Sequence, residues 1–259
     1  MFPSSSMFSV ILIFPFAVPN GLGLTPPMGW NPYNHMKSTG FTWFPNETIV
    51  RAQAEALRST GLRALGYKYV NLDAGWSLRD RDSTTGRPQP DPQKFPNIAN
   101  GGLASFLNAL GFEFGIYSDS GTLHCGGAGP GGLGHEKIDA QAYVEWGVSY
   151  LKYDNCFVPP NITCVCRLGL NTKMDPPHNP ASDGIPSAAH HRDVGPHPAA
   201  HHCGRWDPIP RYTAMSEALN ATGKPVFFNM CEWGYADPAR WGGAVANSWR
   251  TTADISDMW

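Results

Sequence analysis

The chain has 259 residues, with 19 Lys and Arg against 21 Asp and Glu and a formal net charge of −2. So even a balance offers no electrostatic footprint for nucleic acid, and the length suits one large α/β domain or two smaller ones. Nine Trp, nine Tyr and thirteen Phe give aromatic faces of the kind that stack on sugar rings, although core packing accounts for most of them.

Met7–Val18 is an apolar run of twelve residues, too short for the ~20 needed to cross a bilayer but of the length of a signal-peptide core. Residues 1–21 are therefore expected to be a cleaved signal peptide, although no Lys or Arg precedes the run. Sequons at Asn46, Asn161 and Asn220 agree with a secreted glycoprotein that keeps no membrane attachment after cleavage. In that compartment the six cysteines are disulfide-capable.

Beyond the leader, strands and helices alternate. Pro27–Trp30 predicts a strand, and Glu47–Thr60 predicts a helix that opens after Pro45-Asn46 and stops at Gly61. Tyr67–Asp73 is a β-type run, followed by a helix over Gly101–Leu110 and a strand over Phe112–Tyr117. Lys137–Trp146 is helical and leads into the strand Tyr150–Cys156. Ile209–Thr222 is helical, Pro225–Met230 a strand, Asp237–Gly242 a short helix, and Ala246–Arg250 closes the series. Strands separated by helix-length segments imply a parallel sheet. Tyr33, Asp73, Tyr117, Asp154, Glu232 and Arg250 recur at the strand ends, which favours a (β/α)8 barrel over a doubly wound sheet.

Tyr150–Cys156 carries the strongest chemical signal. Residues two apart on a strand share a face, so Lys152, Asp154 and Cys156 are expected to point the same way. An inward charged pair at a strand's end is costly as structure alone, and in a barrel of parallel strands that end is where catalytic groups sit. For an isolated Asp-Asn-Cys, a carboxylate capping the next loop competes evenly with that reading.

Six collinear motifs then converge: Gly23–Asn31 (GLTPPMGWN), 71–76 (NLDAGW), 115–121 (GIYSDSG), 150–156 (YLKYDNC), 231–234 (CEWG) and 248–255 (SWRTTADI). Together they resemble glycoside hydrolase family 27, the α-galactosidases and α-N-acetylgalactosaminidases, in its fungal or plant style, over roughly residues 22–157 and 208–259. The resemblance implies a retaining glycosidase that removes terminal α-D-galactose from oligosaccharides or polysaccharides, with no cofactor and no metal. Such enzymes use two carboxyl groups ~5–5.5 Å apart. Asp154 matches the nucleophile and Asp254 the acid/base; taken alone, Asp254 reads equally well as a helix N-cap. Lys152 is expected to keep Asp154 ionised, and burial or the charge of Asp154 to raise Asp254.

By the same resemblance Asp73 accepts from two vicinal hydroxyls and Lys152 donates on the other edge. Tyr33 and Tyr117 line the pocket, and Glu232 and Arg250 surround the 2-hydroxyl. A bulky acid at 232 leaves little room for an N-acetyl group. Trp30 and Trp76 are expected in the core. Ala74 departs from animal members, which have a second Asp there. Cys125 and Cys156 match a family disulfide; Cys231 matches a half-cystine whose partner is missing, and is expected as a free buried thiol. Alternatives are an α-N-acetylgalactosaminidase, a β-L-arabinopyranosidase, or a galactose-binding chain without catalysis.

Two regions depart from the pattern. Residues 158–207 are rich in Pro and His, lack periodicity, and are expected to be a disordered insertion or retained non-coding sequence. Their six histidines fit no familiar metal-ligand spacing. The chain also stops at Trp259, soon after Asp254. The barrel in residues 22–259 is therefore expected to be truncated after about six repeats, without the family's seventh-strand sugar contact or its C-terminal β-sandwich.

Overall fold

A computed structural model describes residues 20–159 and 207–254. The apolar run Met7–Val18, the sequon at Asn161, and Cys164, Cys166 and Cys203 lie outside them, as does nearly all of the 158–207 segment. Six strands, β1 (Gly29–Trp30), β2 (Tyr69–Asn71), β3 (Glu113–Asp119), β4 (Val148–Asp154), β5 (Phe227–Met230) and β6 (Ser248–Trp249), form one sheet in that order. Every neighbouring pair is parallel. Helices α2 (Glu47–Ser59), α3 (Gly102–Ala109), α4 (Glu136–Glu145) and α5 (Ile209–Ala221) occupy the connections. This unbroken sequential winding is that of a (β/α)8 barrel over six of its strands; a doubly wound sheet would reverse its strand order at a switch point.

Local chemistry explains the elements. The Asn46 side chain caps α2 by accepting from the Ile49 amide at 3.0 Å. Val50, Ala54 and Leu57 then form its buried stripe, and Gly61, at φ +82°, takes the left-handed turn that stops it.

The strands sort by a period of two. Val70 and Leu72, Phe114 and Ile116, Leu151 and Tyr153, and Phe228 and Met230 belong to the main core. The alternate residues Tyr69, Tyr150 and Phe227 form a separate cluster with Leu22. In it Tyr150 and Phe227 stack with ring centroids 4.8 Å apart, and Tyr69 lies 5.2 Å from Tyr150. One irregularity sets the phase. Phe114 pairs with Val148, but Gly115 pairs with Tyr150, so β4 carries one extra residue there. A one-residue slip exchanges the two faces of a strand, and this bulge places Tyr150, Lys152 and Asp154 on the face of the Tyr69 cluster. Gly115 is required beside it, since a Cβ would collide with Asn71 Oδ1.

The structure corrects three local expectations. β4 ends at Asp154, so Cys156 lies beyond the strand instead of sharing its face, and its disulfide to Cys125 ties it to the loop after β3. Tyr33 opens a further helix, α1 (Tyr33–Ser38), instead of ending a strand. In place of a helix over 237–242 there are two 3-10 turns, Pro238–Arg240 and Gly242–Ala244, because Pro238 and the Gly242-Gly243 pair suit tight turns better than a helix interior. Trp76 is fully buried, as expected, and Trp30 packs partly buried against the core.

The Tyr69–Tyr150–Phe227 cluster predicts where stability lies. Phe227→Ala is expected to cost about 3–5 kcal/mol in urea unfolding; a cost below about 1 kcal/mol would show that the cluster is not a packed layer.

Candidate active site

The site grows from the C-terminal ends of the strands. Two residues past β2, Asp73 is buried, and its carboxylate accepts from Lys152 Nζ at 2.8 Å, from Asn31 Nδ2 at 3.2 Å and from the Ala74 amide at 3.0 Å. Lys152 reaches it from β4, with its ammonium 4.9 Å from the Tyr33 ring centroid and 5.1 Å from that of Tyr117. Both rings present their π electrons to the cation.

Asp154, the last residue of β4, is buried beside this pair. Its Oδ2 accepts from the Tyr117 hydroxyl at 2.8 Å and its Oδ1 from the Asn155 amide at 3.0 Å. Its backbone is held from two sides, the carbonyl accepting from the Ser120 amide at 2.9 Å and from the Tyr212 hydroxyl at 3.1 Å. Asp119 stands opposite Asp154 in the β3–β4 register. It is fully buried and accepts from the Gly121 and Cys156 amides at 2.8 and 3.0 Å, clamping both loops that the Cys125–Cys156 disulfide joins.

A second carboxylate, Asp254, has a different environment. It follows β6 by five residues, with Oδ2 accepting from the Tyr33 hydroxyl at 2.7 Å and Oδ1 from Arg250 Nη1 at 2.8 Å. Its side chain is 36% exposed. Tyr33 therefore bridges the two groups, its ring over Lys152 and its hydroxyl on Asp254.

The electrostatics follow from these partners. Burial pushes Asp154 above the usual carboxylate range, while Lys152 and the Tyr117 hydrogen bond oppose the rise. Burial, then repulsion from Asp154, pushes Asp119 up. Lys152 is raised: burial alone would lower it, but Asp73, Cys231 and Asp154 together outweigh burial. For Asp254 partial burial is outweighed by the hydrogen bond from Tyr33 and by Arg250, so it sits below its ordinary value. This is the reverse of the rise expected from the sequence. Arg250, four residues upstream, turns back onto Asp254, and that contact lies in side-chain geometry rather than in spacing.

The structure thus brings Tyr33, Asp73, Tyr117, Lys152 and Asp154 together, and Arg250 and Asp254 join them through Tyr33. Glu232 differs. Expected to face a sugar hydroxyl, it is fully buried and its two oxygens accept from the Gly234 and Ala236 amides at 2.7 and 3.1 Å. The left-handed turn at Trp233 and Gly234, φ +62° and +81°, folds the chain back onto its carboxylate. Cys231 is a free buried thiol.

Sequence reasoning passed over Asn31, Asp119 and Tyr212. Asn31 and Asp119 lie inside the quoted motifs, so a polar residue at a strand end was a usable signal. Tyr212, on a helix, gave none. Asp119, Cys125 and Cys156 converge closely, but the two sulfurs are bonded to each other.

Known proteins resemble the chain over most of its length. Residues 25–169, more than half of the chain, match the family model described as alpha galactosidase A. The alpha-galactosidase of Cyamopsis tetragonoloba is 40% identical over 240 residues, 93% of this chain and 46% of that protein. That of Coffea arabica is also 40% identical, over 93% of this chain and 50% of that protein. The chain spans about half the length of the curated relatives it matches. Among solved structures, the Saccharomyces cerevisiae alpha-galactosidase aligns with a TM-score of 0.66 at 37% identity, over 92% of this chain and 42% of that one; the yeast protein has also been solved with raffinose. Alpha-galactosidase I of Mortierella vinacea aligns with a TM-score of 0.67 at 33% identity, over 92% of this chain and 48% of that one. The chain belongs to glycoside hydrolase family 27, the alpha-galactosidase or melibiase family.

Proposed function

We propose that this chain carries the catalytic site of a retaining α-galactosidase that removes terminal α-D-galactose by double displacement. The observation that supports it most is the pair of carboxylates past the strand ends: Asp154, buried and hydrogen-bonded by Tyr117, and Asp254, half-open and hydrogen-bonded by Arg250 and by Tyr33, whose ring also faces Lys152. In the first step the Asp154 carboxylate bonds to the anomeric carbon as the glycosidic C–O bond breaks, and the proton of Asp254 goes to the leaving oxygen. Water then attacks the anomeric carbon, Asp254 takes the water's proton, and Asp154 departs as carboxylate, so two inversions retain the α configuration.

Asp73 reads hydroxyls on one edge of the sugar and Lys152 those on the other, and Tyr33 and Tyr117 wall the pocket. Arg250 lies toward the 2-hydroxyl, and Glu232 keeps that side narrow by holding the 233–236 loop, which disfavours an N-acetyl group. Raffinose in the yeast relative supports an α-galactoside oligosaccharide as the substrate class. In this reading residues 1–21 are an export signal, residues 22–259 belong to the barrel domain, and the protein is secreted. Asn46 and Asn220 are exposed and accept N-glycans. Among the described residues no helix is long and apolar enough to cross a membrane.

The test is turnover of a nitrophenyl α-galactoside. The chain is expected to hydrolyse it with release of α-galactose, and Asp154→Asn to lose at least ~10³-fold in kcat. Turnover that survives Asp154→Asn, or a β-configured first product, would exclude the assignment.

Asp254 must be protonated for the first step, so kcat/KM falls as pH rises through its pKa, which the Tyr33 hydroxyl helps to hold down. Tyr33→Phe removes that donor, raises the Asp254 pKa and is expected to move the alkaline limb of kcat/KM up by about 0.5–1 pH unit. A limb that stays put or moves down would contradict the role of Asp254.

A further inference from the structure

We propose that Cys231 is a positioning residue whose thiol joins the two carboxylates of this site, donating to Asp154 on one side and accepting from Arg250, the partner of Asp254, on the other. The proposal rests on Asp154 and Asp254 being the reacting pair. Cys231 follows β5 directly, and its amide donates to the Tyr153 carbonyl at 2.8 Å, which sets its side chain next to Asp154. The residue is 1% exposed. Arg250 Nη1 donates to its sulfur at 3.7 Å and, from the same nitrogen, to Asp254 Oδ1 at 2.8 Å. Tyr153 pairs with Met230 in the β4–β5 register, so Cys231 stands beside Asp154, and the two groups shift one another's titration. The proposed thiol–Asp154 bond completes a path that the structure already holds from sulfur through guanidinium to Asp254.

A buried free cysteine is ordinarily a small hydrophobe, and its surroundings set this one apart. The charged and titratable groups around Asp154 and the thiol come from every packed element: Asp73 after β2, Tyr117 and Asp119 on β3, Lys152 on β4, Tyr212 on α5, and Arg250 after β6. Burial and the nearby Asp154 push the thiol up, so it keeps its proton and faces the carboxylate as a donor. A donor favours the ionised form of Asp154, the form the nucleophile needs, and the link orients Arg250 and hence Asp254.

Two measurements on the full chain test this. The first is the S–H stretching band of Cys231 in infrared difference spectra against Cys231→Ala. Hydrogen bonding holds the band at low frequency, so Asp154→Ala, with Asp154→Asn as the near-isosteric second variant, is expected to move it up. A band unmoved by both variants overturns the proposal. The second is the acid limb of kcat/KM: Cys231→Ala is expected to raise it by about 0.5–1 pH unit, with kcat changed more than KM, and Cys231→Ser, which restores a donor, to return it. An unchanged limb, or one that serine does not restore, also overturns the proposal. Because the infrared band needs no turnover, the two assignments separate. A responsive band in a chain that hydrolyses no α-galactoside refutes the proposed function and leaves the thiol link; turnover with an unresponsive band does the reverse.

Discussion

A lysine ammonium whose side chain is only 16% exposed must be paired, and the pairing of Lys152 organises everything around it. Desolvating a lone cation inside a protein costs several kcal/mol, and Lys152 offsets that by bonding Asp73, whose side chain is 3% exposed, at 2.8 Å. The rings of Tyr33 and Tyr117 flank the same ammonium. Asp154, two residues along β4, sits within the field of the lysine, which counters part of the burial that would neutralise it. Remove the cation and three buried carboxylates, Asp73, Asp119 and Asp154, face one another with one partner fewer. The origin lies lower in the barrel: the bulge at Gly115 and Tyr150 selects which face of β4 turns inward, and Lys152 and Asp154 follow from it.

The two halves of the site are built differently. Asp154 belongs to the sheet: its register is set by β3 and β5, its carbonyl is bound from two sides, and the disulfide and Asp119 hold the loops beyond it. Asp254 belongs to a segment past β6 that is exposed from Thr251 to Asp254 and depends on Tyr33 and Arg250 for its position. A nucleophile profits from rigidity, whereas a group that gives and then takes a proton needs contact with solvent. Tyr33 and Cys231 tie the halves together, which gives both residues a reason to be there beyond filling space.

Most of the fold was legible in the sequence because polar or aromatic residues recur at or just past the strand ends and each helix has a stop signal. The predicted α2, α3, α4 and α5 differ from the observed helices by about a residue at either end. What escaped has physical causes. Helix α1 is six residues with no side-chain cap, too short for periodicity to declare itself. The face shared by Lys152 and Asp154 followed from a period of two, but the β4 bulge that sets its phase left no mark in the pattern. The candidate residues were found by motif, yet what they bond to was not: Glu232 turns onto its own loop because two residues beside it adopt left-handed backbone, and Asp254 is held low because Arg250 turns back to it. Spacing identifies residues; only packing shows which group answers which.

The central claim is that Asp154 forms the bond to sugar, and trapping that bond tests it most directly. Incubating the chain with a fluorinated α-galactosyl substrate that slows hydrolysis of the covalent intermediate, followed by mass mapping of peptides, is expected to place one galactosyl ester on Asp154 and none on Asp154→Asn. An ester on another residue, or turnover of α-galactoside with no trapped adduct, would contradict the account.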